Sequence, residues 1–202
     1  MTERLTEGLR RFKREHFPRL QEHYRSLVAE GQSPRTLFIA CADSRVAPDR
    51  MTSSLPGDLF MLRNVGNFVP PFESDTGFHG TSAGIEFGTL VLGVKDIVVC
   101  GHSHCGAIEA LYKPMDPATP HISRWLELAR GAKIDAPVTE EILRRTEKRS
   151  VVLQVERLME YPMVRERVEA GDLCLHGWHY VIEDGTVQAL DVATGIFVPL
   201  SE

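Results

Sequence analysis

No apolar run in this 202-residue chain approaches the length of a membrane-spanning helix. Residues 1–20 also lack the apolar stretch of a secretory signal, and Glu3, Glu7 and Glu15 among the basic residues argue against a transit peptide. These absences predict a cytoplasmic protein with no membrane partner. Cysteine is scarce, at Cys41, Cys100, Cys105 and Cys174, and no Cys-x-x-Cys pair occurs. For an intracellular chain, metal binding or plain burial explains such cysteines better than disulfides. Cys100 and Cys174 sit in apolar runs and read as small buried hydrophobes. A surplus of positive charge is missing too. The net charge is -5, which disfavours nucleic acid as a partner. There is no internal repeat, low-complexity segment or domain linker, so the expectation is one domain over residues 1–202.

What is present is 43% hydrophobic and 25% charged, the balance of a globular protein with a real core. Leu5, Leu9, Phe12, Leu20, Tyr24 and Leu27 mark an amphipathic helical arm over residues 1–30, interrupted at Pro18 and suited to packing on a partner subunit. Thr36–Ala40, Leu59–Leu62 and Asp96–Cys100 read as buried strands. Thr81–Val94 reads as a buried helix, and Thr139–Tyr161 has helical spacing. A last buried strand runs from Gly171 to Ile182, and Glu183-Asp184-Gly185 turns it into Val187–Val192. Strands alternate with helices. The predicted class is therefore α/β, Rossmann-like, with a mostly parallel sheet flanked by helices and an antiparallel edge strand near the C-terminus.

Cys41 follows the first strand directly, and His102 follows the third. In a parallel sheet both strand ends lie on one edge, where α/β proteins place their ligands. Cys105 lies three residues beyond His102, so one turn can present two ligands to one metal. Two thiolates and an imidazole suit zinc. Three protein ligands and an open position mark a catalytic rather than a structural zinc. From spacing alone, the alternative is a buried Cys41 beside an unmetallated loop histidine. Asp43 and Arg45 add a carboxylate and a guanidinium within four residues of Cys41. Arginine can hold a carboxylate in a bidentate fork that orients it and lowers its pKa.

Cys41-Ala42-Asp43-Ser44-Arg45 together with Gly101-His102-Ser103-His104-Cys105-Gly106 closely resembles the β-class carbonic anhydrases. Arg63-Asn64-Val65-Gly66-Asn67, Ile85-Glu86-Phe87 and His176-Gly177-Trp178 extend the resemblance from about Gly31 to Asp191. It implies one Zn2+ per subunit on Cys41, His102 and Cys105, with Asp43 and Arg45 as the catalytic pair. It implies reversible hydration of carbon dioxide to bicarbonate and a proton, by attack of a zinc-bound hydroxide. It also implies a homodimer or tetramer. In the plant-like, open-site branch the substrate pocket is completed across the dimer interface, and the matching residues are Gln32, Phe60, Val65 and Phe87. The family usually has tyrosine where this chain has Phe87, so a hydroxyl is missing there. Another branch of the family keeps an inhibitory bicarbonate site on a tryptophan, an arginine and a tyrosine. The positions here are Phe38, Arg63 and Phe87, and only the arginine is kept. The resemblance therefore implies no such site and an open zinc with Asp43 paired to Arg45.

Two thiolates should make such a zinc a weaker acidifier of water than a three-histidine site, which raises the importance of Asp43. Phe60, Val65 and Phe87 suit a neutral, nonpolar substrate, and Gln32 can donate to an oxygen as charge develops. No proton shuttle stands out. His79 and His104 are conceivable, and buffer is the alternative. The nearest rival reading is a carbon disulfide or carbonyl sulfide hydrolase on the same scaffold. A non-enzymatic zinc or redox module would need a closed fourth ligand or a Cys-x-x-Cys pair.

Overall fold

The structure, a computed structural model, describes residues 2–73 and 77–200. It separates into two compact units, Met1–Ser33 and Pro34–Glu202. In the first, helices α1 (Thr2–Arg11) and α2 (Phe17–Glu30) are joined by a π-helical turn at Phe12–His16. The interruption expected at Pro18 takes this form. Proline lacks an N–H and crowds the carbonyl four residues back. Widening the turn, so that Phe17 N–H reaches Phe12 O, lets the helix pass the proline without breaking. Phe17 then stacks on Tyr24 at 5.7 Å.

In the second unit β1 (Thr36–Cys41) leads through the short α3 (Pro48–Met51) to β2 (Leu59–Asn64). Helix α4 (Gly80–Glu86) continues into a π turn at Phe87–Val91, and β3 (Asp96–His102) follows. Then come α5 (Gly106–Ala110), α6 (Pro120–Leu126), α7 (Glu140–Leu158) and α8 (Pro162–Glu169). Strands β4 (Cys174–Tyr180), β5 (Val187–Asp191) and β6 (Ile196–Pro199) close the chain. The sheet order is β2-β1-β3-β4-β5-β6. Pairings among β2, β1, β3 and β4 are parallel, and β5 and β6 add antiparallel. Strand β1 has β2 on one side and β3 on the other, so the strand order reverses at β1. The carboxyl ends of β1 and β3 flank the crevice of this switch point, where open α/β sheets bind ligands.

The α/β, mostly parallel sheet is as expected, with two antiparallel strands at the edge where one was anticipated. Three elements went unread. Pro120 and Pro162 look like loop punctuation, yet each stands at the start of a helix, where a missing N–H costs nothing. Strand β6 is four residues long and lies on the rim. Two burial expectations need correction. Cys174 is exposed: it opens β4 and points away from Leu173 and Leu175, which face the core. The Thr81–Val94 helix buries Ile85, Gly88 and Thr89 but leaves Phe87, Leu90 and Val91 40%, 62% and 66% exposed. Its second apolar face has no cover among the described residues.

β1 and β3 are buried along nearly their whole length, as central parallel strands with helices on both faces must be. Helix α7 starts on an N-cap at Thr139, whose side chain accepts from Ile142 N–H, and Glu140 and Glu141 suit the positive end of its dipole. Val151 of α7 packs straight onto β3. A Cβ at Gly101 would stand 2.6 Å from Val151 Cγ2, so only glycine lets helix and strand approach this closely beside His102.

Candidate metal centre

The register sets the site. Ala40 pairs with Cys100, so Cys41 and Gly101 end level on adjacent strands, and His102 is one residue further. β3 runs to His102, two residues beyond the expected strand. The ligand candidates therefore sit on rigid strand ends rather than in a loop. Cys105 is the N-cap residue of α5. The Sγ atoms of Cys41 and Cys105 and a ring nitrogen of His102 all lie within 4.8 Å of one another, and all three residues are buried.

His102 Nδ1–H donates to Ser103 O at 2.8 Å. That fixes the tautomer with a lone pair on Nε2, and Nε2 is buried with no hydrogen-bond partner among the described residues. Cys41 Sγ accepts from Asp43 N–H at 3.4 Å and from Gly66 N–H at 3.3 Å. The Cys41 thiol is brought down to about 4, chiefly by its contact with Cys105 and then, against the opposing effect of burial, by His102 and those two amides. The Cys105 thiol is pushed far up by the same contact and by burial. Two adjacent thiolates cannot both ionise without a cation between them. A divalent cation between them would let both ionise by displacing their protons. An orphaned imidazole nitrogen and a thiol–thiolate pair in one buried pocket fit zinc.

Gly66 makes its contact only because its backbone is left-handed, at φ +79°, and because it has no side chain: a Cβ would sit 2.4 Å from the Phe68 ring. Beyond the cluster, Arg45 grips Asp43 with Nε to Oδ1 at 3.0 Å, Nη2 to Oδ2 at 2.8 Å and its own N–H to Oδ1 at 2.9 Å. The fork holds the Asp43 carboxyl well below the usual carboxylate range. Asp43 Oδ2 stands 4.0 Å from His102 Nε2, on the ligand side of the pocket.

The remaining expected site residues divide by place. Val65 lies in the turn after β2, beside Gly66, and is half exposed. Phe60 pairs with Leu37, four residues before the Cys41–Asn64 pair, or about 13 Å down the strand. Its ring meets Phe87 at 5.6 Å between centroids, on the outer edge of the sheet. One chain therefore keeps Phe60 and Phe87 away from its own cluster. Gln32 belongs to the N-terminal unit.

Sequence reasoning named one further residue here only as part of the family's motifs and missed a second. Arg63 donates to the carbonyls of Cys41, Asp43 and Val46 at 3.1, 2.8 and 2.8 Å, and so shapes the loop that carries the Asp43–Arg45 pair. Glu147, on α7, accepts Cys105 N–H at 3.2 Å. The available signal was a glutamate in line with Val151, Gln154 and Leu158 on the face of α7 that turns inward.

A parallel sheet ending in a buried Cys-His-Cys cluster, with a carboxylate locked alongside, has the donor set of enzymes that could hold a metal through thiolates. Residues 36–187 match the family described as carbonic anhydrase. The carbonic anhydrase of Pseudomonas aeruginosa is 41% identical over 204 residues, covering 98% of this chain and 91% of that one. The solved β-carbonic anhydrase CcaA superposes with a TM-score of 0.92 at 37% identity, covering 100% of this chain and 92% of that one. A tetrameric β-carbonic anhydrase of Sordaria macrospora gives 0.73 at 28% identity, over 94% and 93% of the two chains. The chain belongs to the carbonic anhydrase family, in its β class, and is an enzyme of that activity.

Proposed function

We propose that Cys41, His102 and Cys105 hold one zinc ion and that carbon dioxide is reversibly hydrated to bicarbonate there, with Asp43 and Arg45 as the catalytic pair. The convergence of the three ligand atoms on a buried, unpartnered His102 Nε2 carries this reading. When bound, zinc acidifies water and supplies a hydroxide nucleophile near neutral pH. The protein does the rest. Arg45 keeps Asp43 ionised and fixed in rotamer, so Asp43 would accept a hydrogen bond from a nucleophile formed beside it and orient that nucleophile toward the carbon of the substrate. Asp43 engaged with Arg45 supports the open arrangement, in which the aspartate would not itself ligate a bound metal. Among the described residues, no further cysteine, histidine or acidic group joins the cluster. Val65 offers an apolar wall beside Cys41 to a substrate that carries no charge. His104 Nε2 lies between Arg144 Nη2 at 2.6 Å and Glu183 Oε1 at 3.1 Å, so its ring is held in place on the protein.

A carbon dioxide hydration assay with and without chelator tests the assignment. Activity is expected to disappear with the metal, to return with zinc, and to rise with pH toward a plateau. A rate flat from acid to alkaline pH, or indifferent to metal removal, would sink it. Carbonyl sulfide and carbon disulfide in the same assay separate the sister hydrolase activity.

The working unit in this reading is at least a dimer, with Phe60, Phe87 and Gln32 completing the pocket of a partner subunit and the helical arm packing on that partner. The uncovered apolar edge of Phe87, Leu90 and Val91 beside β2 supports it. Apolar surface of this extent is normally covered. Leu90→Asp is expected to shift the molecular mass in light scattering toward the monomer and to lower activity per chain about tenfold or more, since an unpaired charge in an apolar interface costs several kcal/mol. Monomers with full activity would refute the shared pocket.

A further inference from the structure

The most unusual group outside the ligand cluster is a buried carboxylate beneath it. Glu147 is 3% exposed, on the core face of α7. Burying an ionised carboxylate is unfavourable unless donors surround it, and an apolar residue would serve helix packing better. Here the donors come from three different elements. Oε1 accepts Cys105 N–H at 3.2 Å and Arg144 Nη1 at 3.0 Å. Oε2 accepts Arg144 Nη1 at 2.8 Å and the Nε2–H of His179, a buried residue of β4, at 3.0 Å. One of these donors is thus the backbone of a proposed metal ligand.

The contacts continue outward. Arg144 Nη2 contacts His104 Nε2 at 2.6 Å and donates to Glu183 Oε1 at 3.3 Å. His104 Nε2 also meets Glu183 Oε1 at 3.1 Å, and Ser103 Oγ–H donates to Glu183 Oε2 at 2.6 Å. His104 lies between the two ligands of its turn, in a left-handed backbone conformation at φ +57°. A side chain in that conformation is strained and persists only where its surroundings over-determine it. Its surroundings do so from both sides: the ring is held by Arg144, and the carbonyl accepts Arg45 Nη2 at 2.9 Å. An unbroken series of contacts therefore runs from Cys105 through Glu147, Arg144 and His104 to the Arg45–Asp43 fork.

We propose that Glu147 is the positioning residue of this site, setting Cys105 through its amide, and that Arg144 and His104 carry the same constraint to Arg45 and Asp43. This rests on the zinc assignment above. It predicts that Glu147 controls how firmly the metal is held and how the thiolates meet it, without touching substrate. Outer contacts of this kind commonly change metal affinity 10- to 100-fold.

The test uses the zinc-loaded enzyme and its cobalt(II)-substituted form. Glu147→Gln keeps the volume and removes the charge. It is expected to release zinc to a colorimetric chelator about 10- to 100-fold faster than the parent. It should also alter the thiolate-to-cobalt charge-transfer absorption and lower kcat with little change in KM. Glu147→Asp should restore part of each effect. A folded Glu147→Gln enzyme with parental zinc release and spectrum overturns the proposal. If Glu147→Gln does not fold, Arg144→Gln is read instead, because its side chain reaches the surface. Faster zinc release supports the proposal, and parental release overturns it. Failure of both variants to fold assigns the cluster to plain stability and overturns it as well. If the parent takes up no zinc, or Cys105→Ser retains it, the zinc assignment itself has failed, and that result is distinct from the Glu147 outcomes.

Discussion

Replacing Cys105 with serine is expected to lower carbon dioxide hydration by about a thousandfold or more, because hydroxide at neutral pH depends on the metal. With a divalent cation bound, Cys105 and Cys41 would be its two anionic donors, and their charges together would balance it. A serine hydroxyl stays protonated and offers zinc a neutral, hard oxygen where a soft thiolate belongs. The remaining pair, Cys41 and His102, still converges but binds with too few donors. Cys105 is 3% exposed and packs with Phe68, Ala107 and Ile108, so the smaller serine leaves the helix start folded. Metal analysis should find well under one zinc per chain, with circular dichroism unchanged. Full zinc content with parental activity would falsify the ligand assignment.

Asp43→Asn is expected to keep zinc and lose about 10²- to 10⁴-fold in kcat, the range of a positioned acid–base group. Asp43 lies beside the cluster rather than in it, and its two oxygens are both engaged by Arg45. Asparagine keeps the shape but turns one acceptor into a donor facing the guanidinium. The fork breaks, and so does the aim of the group across from His102. Zinc content separates this from ligand loss. A variant that hydrates carbon dioxide as fast as the parent removes Asp43 from the mechanism. The pH dependence follows from the same fork. Arg45 depresses the carboxyl pKa in the folded state, so the pair's contribution to stability is complete above the ordinary carboxylate value and is lost only as pH falls through the depressed one. Asp43 therefore stays ionised throughout the range in which the rate rises with pH. That rise belongs to the nucleophile and should appear at the same place in buffers of different chemistry.

Much of the site is legible in the chain because its chemistry is local. Cys41-Ala42-Asp43-Ser44-Arg45 packs one ligand candidate and the fork into five residues, and His102-Ser103-His104-Cys105 presents two more in one turn. The apolar runs of β1 and β3, buried on both faces, announce a parallel sheet and so bring Cys41 and His102 to one edge. Pro120 and Pro162 mislead because a proline at a helix start looks the same in sequence as a proline in a loop. Glu147 is hidden for a related reason. Periodicity marks a helix, but a glutamate on it looks solvated until the neighbours of that face are known.

By itself the sequence determined the sheet class, the types of the candidate ligands and the carboxylate–arginine pair, since each depends on residue type and short spacing. Tertiary structure decided what depends on distance in space. It set β1 level with β3, so that Cys41, His102 and Cys105 converge within 4.8 Å. It placed Gly101 under Val151, and Glu147 under the Cys105 amide. It left Phe87, Leu90 and Val91 uncovered at the outer edge of the sheet, because the number of apolar residues in a helix does not say how many faces the fold will cover.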